Sequence, residues 1–183
     1  MKNLPRIKNR GDLPKEGWVA YDEIVGSRGD VSGPFSVLLN SPEVGRRVGH
    51  LGAYIRFESS LPEEVTELAI LVTAREWDCQ YEWTYHEPLA REAGVREEAI
   101  AAVRDRSAPS GLDEREALVF RYVQEIIRDH KVSEEARESV LEKFGPRGAV
   151  DLTATTGYYA MLAGALNTFE VPLESGDRPL LPL

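Results

Sequence analysis

The segment Leu61-Pro62-Glu63-Glu64 followed by VTELAILVTAREW constrains this chain more than any other. Proline and paired acids suit a helix first turn, where an N–H would be unpaired and the dipole favours negative charge. The run that follows is apolar on almost every face, so it predicts a helix inside the fold. Glu67 is the anomaly in it. At 100 degrees per residue it falls between Ile70, Leu71 and Ala74, where a carboxylate is costly unless hydrogen-bonded or protonated.

The rest of the chain also reads as helix. The first 35 residues, rich in proline and glycine, leave room for one short helix over about 15–25, in an arm that wraps over a neighbour. Ser41-Pro42-Glu43 starts a helix running to about Phe57, with Val44, Val48, Leu51 and Ile55 as its apolar stripe. From Asp78, CQYEWTYHEPLAREAGV predicts a helix bent at Pro88 and stopped at Gly94, and a short one follows over 96–103. After the polar break RDRSAPSG, the spacing predicts helices over 113–129, from Ser133 to about Gly145, and over 146–167. The tail VPLESGDRPLLPL is irregular. No run alternates as a strand would, so the fold class is all-α: one domain over 1–183, with an arm over 1–35 and a tail over 170–183. Sliding the chain by 84 residues sets Pro62 over Pro146, Glu67 over Asp151 and Leu68 over Leu152, a faint echo of two helical halves.

Composition excludes several partners. Thirty-one acidic residues against 22 basic give a net charge of −9, which repels nucleic acid and anionic membrane surfaces. No stretch approaches the roughly 20 apolar residues of a membrane span, and MKNLPRIKNRGDLPKEG lacks the apolar core of a secretory signal, so a cytoplasmic location is expected. Cys79 is the sole cysteine; it is either a buried small hydrophobe or a reactive thiol.

Cys79, Glu82 and His86 stand at i, i+3 and i+7, which on one helix projects a thiol, a carboxylate and an imidazole from the same side. Trp77, Tyr81, Trp83 and Tyr85 surround them and supply a dry setting, which raises carboxylate and thiol pKa values and lowers that of histidine. His86 then serves as base or acid, with Glu67 or Glu82 holding its tautomer or sharing its proton. His50, Tyr54 and Tyr158 are candidate substrate-binding residues, placed on helices long enough to pack near this segment. No metal-ligand spacing such as HExxH occurs, and the reading assigns neither metal nor cofactor.

The run ELAILVTAREWDCQYEWTYHEPLAREAGV resembles the core motif of the carboxymuconolactone decarboxylase and AhpD-like (alkylhydroperoxidase D-like) superfamily, a glutamate followed by Cys-x-x-Cys-x-x-x-His. Glu67, Cys79 and His86 match the glutamate, the first cysteine and the histidine, while Glu82 stands where the second cysteine belongs. The resemblance covers roughly 34–105, and GYYAMLAGALNTFEVPL looks like the end of the longer members. It implies an AhpD-like helical fold, a small-molecule substrate and a homo-oligomer.

The substitution at Glu82 redirects the expected chemistry. The AhpD-like peroxidases cycle two cysteines through a disulfide, which one cysteine cannot do alone. The decarboxylase branch uses no redox cysteine and works on a carboxylated lactone by acid–base chemistry, which suits Glu67, Glu82 and His86. Its substrate carboxylates would need a cationic anchor, for which Arg46, Arg47, Arg56 and Arg75 are candidates by type. Two alternatives stay open: a single-cysteine hydroperoxidase of peroxiredoxin type, in which Cys79 is the nucleophile and an outside thiol resolves it, and a non-catalytic binding or assembly module on the same scaffold.

Overall fold

The computed structural model describes residues 4–107 and 111–182 and contains eight α-helices and no strand among them; residues 108–110 of the expected polar break lie outside the described residues. In chain order the helices are α1 (Trp18–Arg28), α2 (Phe35–Leu38), α3 (Pro42–Phe57), α4 (Glu63–Glu76), α5 (Gln80–Glu92), α6 (Glu97–Arg104), α7 (Glu114–Gln124) and α8 (Glu134–Thr168). Two 3-10 turns, Arg10–Asp12 and Lys15–Gly17, lead into α1, and a π turn, Glu125–Asp129, extends α7. No helix among the described residues is long and apolar enough to cross a membrane.

The helix expected to be internal is internal. Every residue of α4 from Val65 to Arg75 is buried, and α5, α6, α7 and α8 all pack on it. The helix ends follow local chemistry. Asp113 and Glu116 form a reciprocal capping box at the start of α7, and the Ser133 hydroxyl accepts from the Ala136 N–H at the start of α8. Gly94, in the left-handed region at φ 94°, follows α5, which runs through Pro88. The two helices expected on either side of residue 145 are joined end to end in α8, with a kink at Gly145 (φ 68°, ψ 177°) and Pro146 beginning the second arm.

The core has two main clusters. One gathers α4, α6, α7 and the buried Trp83; the other packs α1 and α3 against Ile70, Tyr158, Tyr159 and Leu162. The amino-terminal arm closes over the second, its Ile7 N–H donating to the Ser36 carbonyl at 2.8 Å with Ile7 and Leu13 buried. In the carboxy-terminal tail, Leu181 is buried in the first cluster and the Leu180 N–H donates to Thr84 Oγ1 at 3.3 Å.

α3 corrects the sequence reading. Val48 and Ile55 of its expected apolar stripe are buried, but Val44 and Leu51 are 45% and 44% exposed. The inward face is instead Gly45, Val48, Gly49, Gly52 and Ile55. Its neighbours come too close for side chains: a Cβ on Gly52 would lie 2.1 Å from the Tyr158 hydroxyl and 2.6 Å from Arg28 Nη2.

Candidate functional site

α4 and α5 are joined by a tight turn through Trp77 and Asp78, the latter in the left-handed region at φ 46°. That turn lays α5 across α4 and brings Glu67 of one against His86 of the other. Glu67 Oε2 lies 2.8 Å from His86 Nδ1, and Glu82 Oε2, one turn before the histidine on α5, lies 3.5 Å from Nε2. The three side chains are 8%, 3% and 5% exposed for Glu67, His86 and Glu82. An ionised carboxylate can only accept, so in the tautomer with the proton on Nδ1 the short bond runs from His86 to Glu67 and Nε2 faces Glu82. The second contact is too long for a firm hydrogen bond.

Aromatic rings enclose this chain of groups. Tyr159 and Tyr85 stand edge-on to the imidazole, each with its centroid 5.1 Å away. Burial pushes the Glu82 carboxyl up to about 6, with the charges of His86 and Arg56 opposing the rise and that of Glu67 adding to it. Burial also pushes the Tyr158 phenol up to about 12, against the pull of Arg28, and raises that of Tyr159 well above the ordinary range.

Glu82, His86, Tyr85, Tyr158 and Tyr159 line a cleft of about 260 Å³, walled on its other sides by the end of α1, the loop after it and Arg56 of α3. Two guanidiniums face it. Burial works against the charge of Arg56, but Tyr159, Tyr85 and Glu67 outweigh it. Arg28 donates to the Gly49 carbonyl at 3.1 Å and lies over the Phe35 ring at 4.4 Å. The site can therefore hold an anionic group against cations and present it to a carboxyl–imidazole pair.

Cys79 does not line this cleft. It is the N-cap of α5 with extended backbone (φ −86°, ψ 95°), so the same-side projection expected of Cys79, Glu82 and His86 fails at its first member. The thiol is wholly buried against Val37, Ala163, Leu166 and Val171. Burial pushes it up to about 12, the Glu82 charge adds to the rise, and backbone N–H groups of Glu82 and Tyr81 oppose it.

Of the expected substrate-binding residues, the structure brings Tyr158 into the cleft and leaves two outside. His50 is exposed on α3 and pairs with Glu23 at 2.8 Å. Tyr54 donates to Asp151 at 3.0 Å, and Asp151 also accepts from the Ser59 hydroxyl and from the Ser60 N–H and hydroxyl. Asp151, the echo of Glu67, thus ties the α3–α4 connection to α8 and has no histidine partner. Among the anchoring arginines, Arg56 alone lines the cleft; Arg46 and Arg47 pair with Glu43, and Arg75 with Asp78. Sequence reasoning missed Arg28 and Tyr159. The adjacent tyrosines Tyr158-Tyr159 on an apolar helix were a visible signal, whereas nothing local marks Arg28.

Residues 42–125 match the carboxymuconolactone decarboxylase family. No curated protein matches the chain. Among solved structures it is similar to an alkylhydroperoxidase AhpD core, a peroxidase-related protein from Ralstonia eutropha JMP134, at 18% identity and TM-score 0.74 over 91% of this chain and 90% of that one. A peroxidase-related protein from Silicibacter sp. TM1040 is similar at 17% identity and TM-score 0.73 over 96% and 94%. So is a cysteine-to-alanine variant of the debrominase Bmp8 in complex with 2,3,4-tribromopyrrole, at 14% identity and TM-score 0.70 over 96% and 94%. At such identities the likeness speaks for the fold, and the family match covers the helices that carry Glu67, Glu82 and His86. The match over residues 42–125 and the shared helical fold support the carboxymuconolactone decarboxylase and AhpD-like superfamily.

Proposed function

We propose that this protein is an enzyme of the carboxymuconolactone decarboxylase type, performing cofactor-independent acid–base catalysis on a small carboxylated or lactone-like metabolite. One observation carries the reading: the buried chain Glu67–His86–Glu82 opens on a cleft with two guanidiniums, and the thiol is shut out of it. Arg56 and Arg28 anchor the carboxylate. His86 is the principal acid or base through Nε2, Glu67 holds its tautomer, and Glu82 takes up or returns the proton at the substrate. A carboxyl with a pKa of about 6 changes state near neutral pH, which suits that exchange.

A thiol peroxidase needs a thiolate that meets its substrate, and a buried thiol pushed up to about 12 supplies neither. A binding module needs no buried proton chain beside its cleft.

The test is turnover of a panel of carboxylated lactones and related acids between pH 5 and 9. Wild type is expected to turn over at least one member, with kcat/KM inflecting at about pH 6. His86→Asn and Glu82→Gln are expected to lose about 10²–10⁴-fold in kcat, the ordinary share of a general acid or base. Cys79→Ala retains activity. Peroxide reduction that vanishes in Cys79→Ala, with no turnover across the panel, would reverse the assignment.

A further inference from the structure

Glu67 touches a cleft of its own. Beyond the wall formed by Arg56 and Phe57 lies a second cleft of about 380 Å³, lined by Ser59, Glu63, Thr66 and Glu67. Arg56 and Phe57 line both clefts, so they are the partition the two share. Glu82 and His86 face the first cleft, Glu67 faces the second, and the imidazole joins them with contacts of 3.5 Å and 2.8 Å.

We propose that the second cleft is the solvent port of the site: Glu67 exchanges the relayed proton with water there while substrate fills the first cleft. The inference rests on the acid–base reading and adds a route to it. A ligand filling a cleft of about 260 Å³ displaces water from Glu82 and from Nε2, so a proton taken from it needs another way to bulk solvent. The balance is one proton in and one out. Glu82 Oε2 passes a proton to Nε2, the proton on Nδ1 passes to Glu67 Oε2, and Glu67 releases it to water; the return stroke restores the first tautomer. Beside Ile55 and Leu61 the walls bring polar groups: the Ser59 hydroxyl, which donates to Asp151, and the Thr66 hydroxyl, which donates to the Pro62 carbonyl, can each still accept from water, and Glu63 lies one turn before Glu67 on the same helix face. Glu67 is thereby a proton carrier as well as the group that orients His86.

The experiment follows the His86 ring proton by NMR in full-length protein with labelled histidine, and it needs no substrate. Tyr85→Cys, half exposed on the first cleft, and Glu63→Cys, over the second, are each modified with a bulky maleimide; the unmodified variants are the references. Ser32→Cys, also on the first cleft, gives a second front plug. With the front plugged, exchange with water is expected to stay within about threefold of its reference, and adding the rear plug is expected to slow it by about tenfold or more. Glu67→Gln, which can still accept from Nδ1 but takes up no proton, is expected to slow exchange similarly in the front-plugged protein. A front plug that stops exchange alone, or a Glu67→Gln variant that exchanges normally behind it, overturns the port. Either result leaves the lactone panel to judge the acid–base reading separately.

Discussion

Glu82 shows how one residue type in one place sets the chemistry of the site. It stands where the family motif has a second cysteine, it is 5% exposed, and burial lifts its carboxyl from 4.5 to about 6. Because the folded state holds this proton more tightly than the unfolded chain, the associated stability is full below about pH 4.5 and is lost as pH rises through about 6. Glu82→Gln removes the ionisation. The variant is expected to exceed wild type in stability by about 2 kcal/mol at pH 8, an advantage that disappears by pH 4. Urea denaturation at both pH values checks this, and a gain independent of pH would contradict it. The sequence already showed the Glu82–His86 spacing and the oddity of Glu67 inside an apolar helix, since both follow from helical periodicity alone. It could not show that Cys79 turns away, because that depends on the backbone angles where the α4–α5 turn meets the helix.

Among the elements, α3 is the one on which the cleft depends most. Its glycine face lets Arg28 and Tyr158 approach the backbone, and both side chains line the cleft. Gly52→Ala is therefore expected to cost about 1–3 kcal/mol through overpacking. It should also raise KM for an anionic substrate more than it lowers kcat, since it displaces an anchor and leaves His86 in place. Thermal denaturation and steady-state kinetics read the two effects. An apolar stripe at helical spacing found Val48 and Ile55 but placed Val44 and Leu51 beside them instead of the glycines, because periodicity counts side chains that are present. What decided the face was the space that absent side chains leave, and the neighbours that occupy it come from α1 and α8.

Over the whole molecule, charge and chain ends matter most. A net charge of −9 surrounds a cleft that nonetheless presents Arg28 and Arg56, so the anionic substrate proposed for it would be held by local geometry against the overall field. Both ends of the described chain are part of the packing. Leu181, far from α4 in sequence, is buried among its neighbours, and Leu181→Ala is expected to cost about 2–3 kcal/mol. Chemical denaturation measures this; a change below about 0.5 kcal/mol, typical of a surface site, would show that the tail is not anchored there.

The amino-acid sequence by itself determined the longer helices to within a few residues, though not the four-residue α2, together with the buried position of α4 and the placing of Glu82 and His86 on one face. Each of these depends on residues within a few turns of one another, where periodicity, proline, glycine and capping side chains act directly. Tertiary structure decided the rest: that Glu67 meets Nδ1, that Arg28 and Arg56 close on the same cleft, that Tyr54 serves Asp151, and that the thiol lies in the core. Those outcomes depend on how closely helices distant in sequence can approach, and that distance is set by packing over the whole chain.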